Sequence, residues 1–255
     1  LQLHLRAKFD EDLSPLIFNT LHRMMDCLQT KATGDTFFEQ QLVTLLPDLL
    51  TSARVEVQDE LLRYDIVTTM TGFFYFMGPE HFDNHLRALP DSNAQRDFLQ
   101  ASCEILHQYL SSKSPVYPEN WFVMLMCMFS TILKVIIIFG HLMTQRFGVI
   151  NDEASLWREF FKLTLAFVNS PLLELESFAD SKRKLTLERY GDMRMDLMQL
   201  LQVMWGALDT YQYAFIEDMV QPFLQLSTLE QQTLSEHGTE LYCSLLQREH
   251  QSTGD

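Results

Sequence analysis

Glycine is scarce in this chain, nine residues in 255, and none of it forms a phosphate-cradling pattern. No G-x-G-x-x-G, G-x-x-x-x-G-K-[ST] or G-x-S-x-G is present, so a nucleotide loop and a nucleophile elbow have no candidates. Basic charge is short as well: 19 Lys and Arg against 34 Asp and Glu leave a net charge of -15. A surface of that sign repels polyphosphate and anionic headgroups, which argues against nucleic acid as a partner and against direct attachment to a membrane surface. Only four cysteines occur, Cys27, Cys103, Cys127 and Cys243, with no C-x-x-C and no regular spacing. They are expected to be buried free thiols of a cytoplasmic, reducing compartment rather than a disulfide framework. The chain opens LQLHLRAKFDEDL, with neither an initiator Met nor the order of a signal peptide, and reads as an excerpt of a larger multidomain protein.

Metal and acid–base templates are also thin. His81 and His85 in HFDNH stand four apart, but Phe82 occupies the place where a zincin needs Glu, and no third ligand is evident. They are expected to be surface or capping histidines. Glu104 and His107 make one E-x-x-H, whereas a di-iron bundle needs two such pairs and two more carboxylates. No cofactor, metal ligand or catalytic residue is therefore assigned.

What the chain has in abundance is helical punctuation, while strand signals are nearly missing. Ser14-Pro15 reads as a cap and first turn, with Gly34 beyond the end of that helix, and a second helix from Asp35 is interrupted at Pro47. QDELLRYDIVTTMTGFFYFM reads as a third helix, closed by Gly78-Pro79; EHFDNHLRAL and Asn93 to Leu110 follow, and SKSPVYPEN is a loop. Beyond it, Leu156, Phe160, Leu163 and Phe167 form one apolar stripe and Trp157, Phe161, Leu165 and Val168 a second beside it. A helix with two adjacent stripes packs against neighbours on two sides. Asn169-Ser170-Pro171 breaks the chain, and Met193, Leu197, Leu200 and Met204, with Trp205 beside them, mark the next helix. Two further helical stretches, AFIEDMVQPFLQL with Pro222 inside it and LEQQTLSEHGTELYCSLLQ, complete the chain. The thirteen methionines sit mostly at helical apolar spacing and are expected to fill core gaps.

The class is thus all-α, and antiparallel pairs of helices this long suit an armadillo or HEAT-like α-solenoid of about 40 to 47 residues per unit. No repeated motif is visible, so a compact bundle stays open. Residues 1–255 are taken as a single helical-repeat domain, because no composition shift marks a boundary. The run 122–140, FVMLMCMFSTILKVIIIFG, is long enough to span a bilayer. Lys134 near its centre would cost about 2.5–3.5 kcal/mol there, and an all-round apolar helix is also what the middle of a large helical protein requires.

One local anomaly remains. Residues 181–194, SKRKLTLERYGDMR, hold five of the nineteen basic side chains. Convergence of Lys182, Arg183 and Lys184 would make a patch for an acidic partner. Pairing of Glu188 and Asp192 with Arg189, Lys184 or Arg194 would instead make the segment a piece of architecture, each exposed pair contributing ~0.3–0.5 kcal/mol.

The run SLWREFFKLTLAFVNSPLLELESFADSKRKLTLERYGDMR, residues 155–194, resembles the DOCK (dedicator of cytokinesis) family of Rho-family guanine-nucleotide exchange factors. N-S-P at Asn169 to Pro171, the S-K-R-K run and R-Y-G-D-M-R from Arg189 to Arg194 carry the likeness, and weaker similarity runs back through FFYFMGPEHFDNHL and VYPENWFVM. The resemblance implies an armadillo-like α-solenoid upstream of the catalytic second Dock-homology region, linking it to a lipid-binding region. The implied role is a non-catalytic scaffold, with exchange on a Rac-type GTPase performed by the downstream domain. Implied partners are proteins: the GTPase through that domain, and an ELMO-type regulator. The membrane is reached only indirectly, through other domains and recruitment to the plasma membrane, and dimerisation is left open. Lys182, Arg183, Lys184, Arg189, Tyr190, Gly191, Asp192 and Arg194 become the family-motif residues, a helix-turn-helix junction serving structure or partner contact. An unrelated helical-repeat adaptor, with a groove lined by Phe73, Phe74 and Tyr75, is the other reading. The sequence departs from the family at Glu217, Asp218 and Gln221, where a Pro-Gly turn and another Gly usually precede the Pro.

Overall fold

The computed structural model describes residues 44, 46, 50, 60–111, 117–118, 120–147 and 154–253. The helix expected around Ser14-Pro15, all but residues 44 and 46 of the one expected from Asp35 to Pro47, Gly34, Cys27 and most of the SKSPVYPEN loop lie outside these residues. Among the described residues there are helices and connectors and no strand, the all-α helical-repeat class expected from the sequence. The chain divides into two compact units, residues 1–132 and 133–255, with the division falling inside one long helix.

In the first unit, α1 (Glu60–Phe76) gives way to α2 (Pro79–Ala88) at Gly78, which is extended; Pro79 then starts α2 where an N–H would have no helical partner. Phe74 of α1 meets Phe82 of α2 with ring centroids 5.9 Å apart, and both are buried. In α3 (Ser92–Ser111) the Asp91 carboxylate accepts from the Ala94 N–H at 2.7 Å, closing a free donor of the first turn. Phe98, Leu99, Ile105 and Leu106 bury its inner face. The Tyr117 hydroxyl reaches back to Thr68 of α1 at 3.1 Å.

The long helix α4 (Phe122–Arg146) contains the apolar run. It is long and apolar enough to cross a bilayer, yet 61% of its most apolar window is buried by the protein itself. Lys134 is half-buried, and burial lowers its pKa. The all-round apolar composition therefore finds its use in packing.

In the second unit, α5 (Ala154–Val168) buries every residue of both stripes. Its aromatics continue a cluster with α7 (Met193–Ala207), the 3-10 segment Asp209–Phe215 and α8 (Ile216–Leu226): the Phe161 ring lies 6.4 Å from Trp205 and 6.0 Å from Phe215, and Trp205 meets Phe223 edge-on at 5.1 Å. Edge-to-face rings at these separations add about 0.5–1.5 kcal/mol per pair beyond area burial. Gly140 of α4 lies against this layer, where a Cβ would meet Leu200, Met204 and Phe160 at 3.2–3.4 Å. Gly238 allows α9 (Gln232–Thr253) to approach α8 more closely still: a Cβ there would lie 2.6 Å from the Leu226 oxygen and the Ser227 nitrogen. Leu200 alone of its predicted stripe is half-exposed.

Three expectations need correction. Cys103 is buried, but Cys127 and Cys243 are exposed, because each falls on the outward side of its helix between buried neighbours such as Met126 and Met128, or Leu241 and Leu245. His81 does cap a helix, whereas His85 is a core residue against the Phe98 ring at 4.5 Å. Phe73 and Phe74 are buried and only Tyr75 is exposed, so these three do not line a groove; successive residues on a helix point 100° apart.

Candidate functional site

After α5 the apolar spacing fails at Asn169-Ser170-Pro171, and the chain tightens into two short 3-10 turns, Pro171–Leu173 and Leu175–Ser177. Leu173 and Leu175 are buried and anchor them. Turns this tight leave carbonyls without helical donors. Arg183 supplies donors from the first half of α6 (Asp180–Tyr190): Nε donates to the Leu175 carbonyl at 2.8 Å, and Nη2 to the Glu176 and Phe178 carbonyls, both at 3.1 Å. The Thr186 hydroxyl, also on the inner side of α6, bonds within the helix to the Lys182 carbonyl at 2.7 Å.

Gly191 ends α6 with φ 70° and ψ -169°, a region essentially restricted to glycine. The next residue, Asp192, caps α7 by accepting from the Arg194 N–H at 3.1 Å. Arg194 itself is 1% exposed. Its Nη2 donates to Glu176 Oε2 at 2.6 Å and to Gln231 Oε1 at 2.8 Å, while Gln231 Nε2 donates to Asp192 Oδ2 at 2.8 Å. One guanidinium thus fastens three segments together: the 3-10 turn, the start of α7 and the entry to α9. Arg194 Nε makes no hydrogen bond, though Asp192 Oδ1 stands 3.9 Å from it as an ion pair.

Burial by itself would raise the Glu176 pKa. The hydrogen bond from Arg194, a backbone donor and the charges of Arg194 and Arg183 outweigh it and leave the carboxyl below its ordinary value. A carboxyl so depressed contributes stability that is complete above its unfolded pKa and is lost as pH falls through the folded one.

The motif residues therefore separate. Arg183, Gly191, Asp192 and Arg194 build the junction, and Tyr190 is half-buried beside it. Lys182, Lys184 and Arg189 are exposed: the Lys182 ammonium sits 3.8 Å over the Phe178 ring, and Lys184 lies 4.0 Å from Glu188. Lys182, Arg183 and Lys184 do not converge, since consecutive helical positions diverge by 100°. Sequence reasoning missed Glu176 and Gln231, which lie 18 and 37 positions from Arg194; no local spacing points to either. Of the three departures, Asp218 pairs with Arg158 at 2.8 Å, Glu217 and Gln221 are exposed, and helix α8 runs through all of them.

Chemically, this arrangement ties charge to charge and turn to helix. Its carboxylates face a guanidinium and an amide rather than a nucleophile, and among the described residues no group of three or more His, Cys, Asp and Glu side chains is placed to hold a metal ion. A buried arginine clasp set between stacked helices defines a structural helical-repeat segment. The family model of the dedicator of cytokinesis (DOCK) TPR region matches residues 1–255, and the chain belongs to the DOCK family. It is similar to dedicator of cytokinesis protein 4 of Mus musculus and of Homo sapiens, 25% identical in each over 214 residues, which cover 84% of this chain and 11% of the relative. It is likewise similar to dedicator of cytokinesis protein 3 of Mus musculus, 26% identical over 167 residues, or 66% of this chain and 8% of the relative. The chain spans about a tenth of the length of the curated relatives it matches. TPR and armadillo units are both stacked helix pairs, so the family description and the fold class agree.

Proposed function

We propose that this chain is a non-catalytic helical scaffold segment of a DOCK-type guanine-nucleotide exchange factor acting on Rac-type small GTPases. It holds a lipid-binding region and an exchange domain at a defined spacing and offers surface to protein partners such as an ELMO-type regulator. The observation that carries the reading is the match to the TPR region along residues 1–255. The junction supports it, because its most specific motif is spent on fastening helix to turn. The parent acts in the cytoplasm and reaches the plasma membrane through its other domains.

Release of a fluorescent GDP analogue from a Rac-type GTPase tests this division of labour. The 255-residue chain leaves release at the intrinsic rate, and a parent protein carrying it accelerates release. Acceleration by the chain alone would overturn the scaffold reading.

A further inference from the structure

The HFDNH pair, which neither metal chemistry nor the scaffold role absorbs, is built into α2 in an unusual way. The backbone N–H of Gly78 donates to His81 Nδ1 at 2.9 Å. A backbone amide can only donate, so that ring nitrogen must carry a lone pair, and His81 caps the helix only as neutral imidazole. One turn further along, His85 is 5% exposed, and its Nε2 is buried with no hydrogen-bond partner. A second proton there would place a positive charge in an apolar contact.

We propose that α2 is a pH-sensitive element: the neutral imidazole of His85, sealed against α3, holds it docked, and proton uptake there loosens it.

The surroundings of His85 offer an imidazolium little compensation. α1 reaches α2 through Phe74 on Phe82, and α3 through Phe98 on His85. On α3, Arg96 and Asp97, the charged residues nearest Phe98 in sequence, lie 3.4 Å from each other; Asp91 caps the helix and Glu104 accepts from Gln100 at 3.0 Å. His107 meets the Ser111 hydroxyl at 3.1 Å, and the Cys103 side chain is buried. Tyr75 of α1 is exposed. On α2 itself Asp83 pairs with Arg87 at 2.7 Å, and Glu80 is exposed. In agreement, the His85 pKa is lowered and burial is the one cause. A histidine lowered on folding leaves stability intact above its unfolded value of 6.5 and removes it progressively below, because the unfolded ring takes up a proton that the docked ring refuses.

Hydrogen exchange on the 255-residue chain, corrected for intrinsic rates, tests this at about pH 7.5 and about pH 5.5. One unit below the ordinary histidine value, protection of the α2 amides should fall by up to about tenfold for the one proton that docked His85 excludes, while the α7 amides hold. H85F keeps a buried ring against Phe98 and does not titrate, so this variant should lose the response. Equal behaviour of α2 and α7 in the wild-type chain would overturn the proposal, as would an unchanged response in H85F. Should H85F not fold, H85L, which is likewise apolar and does not titrate, must at least reduce the response, and an unaltered response again overturns the idea.

Discussion

Arg194 is the side chain whose environment is hardest to replace. Both ways of removing this arginine strand Glu176, and they should differ in the volume they leave empty. Arg194→Ala should destabilise the chain by about 3–5 kcal/mol, since Glu176 and Gln231 lose their partner and a cavity is left. Arg194→Met fills more of the volume and should cost clearly less. Urea unfolding of both variants checks this, and equal losses would show that the lost charge and hydrogen bonds rather than volume govern the site. Some of this junction was legible in the residues themselves. Gly191 followed by Asp192 is a stop and a cap by known chemistry. The partners were not legible: Glu176 stands in a turn and Gln231 in a connector, and nothing in either segment's spacing says that it will meet a guanidinium.

Among the elements, α5 was the most readable. Its two stripes have helical period, and all eight residues are buried. Helices with one polar face were read less well in detail. Which thiol lies outside depends on which side the neighbours leave open, so Cys127 and Cys243 were misplaced although their helices were found. The approach of α8 and α9 likewise has no local signal beyond a glycine inside a helical pattern. At Gly238 a methyl would overlap the Leu226 and Ser227 backbone. Backbone cannot rotate aside, so Gly238→Ala should lower stability by at least about 1–3 kcal/mol despite its better helix propensity. Thermal unfolding checks the sign; a raised Tm would mean that the two helices separate freely.

Charge is a property of the whole molecule. With 19 basic against 34 acidic side chains, and five of the basic ones spent in one local segment, the surface field is negative. The chain should bind an anion exchanger at neutral pH and pass through heparin at low salt; retention on heparin would show that Lys182, Lys184 and Arg189 act as a patch in spite of the field around them.

The all-α class and the family were settled by the residues in order, because apolar period, caps and the R-Y-G-D-M-R run are local and survive without knowledge of neighbours. Only the folded structure decided which residues of the basic segment are fastened into the junction, which histidine is sealed and which cysteine is bare. Those outcomes depend on groups brought together from distant parts of the chain, and burial is set by what packs against a face rather than by the face itself.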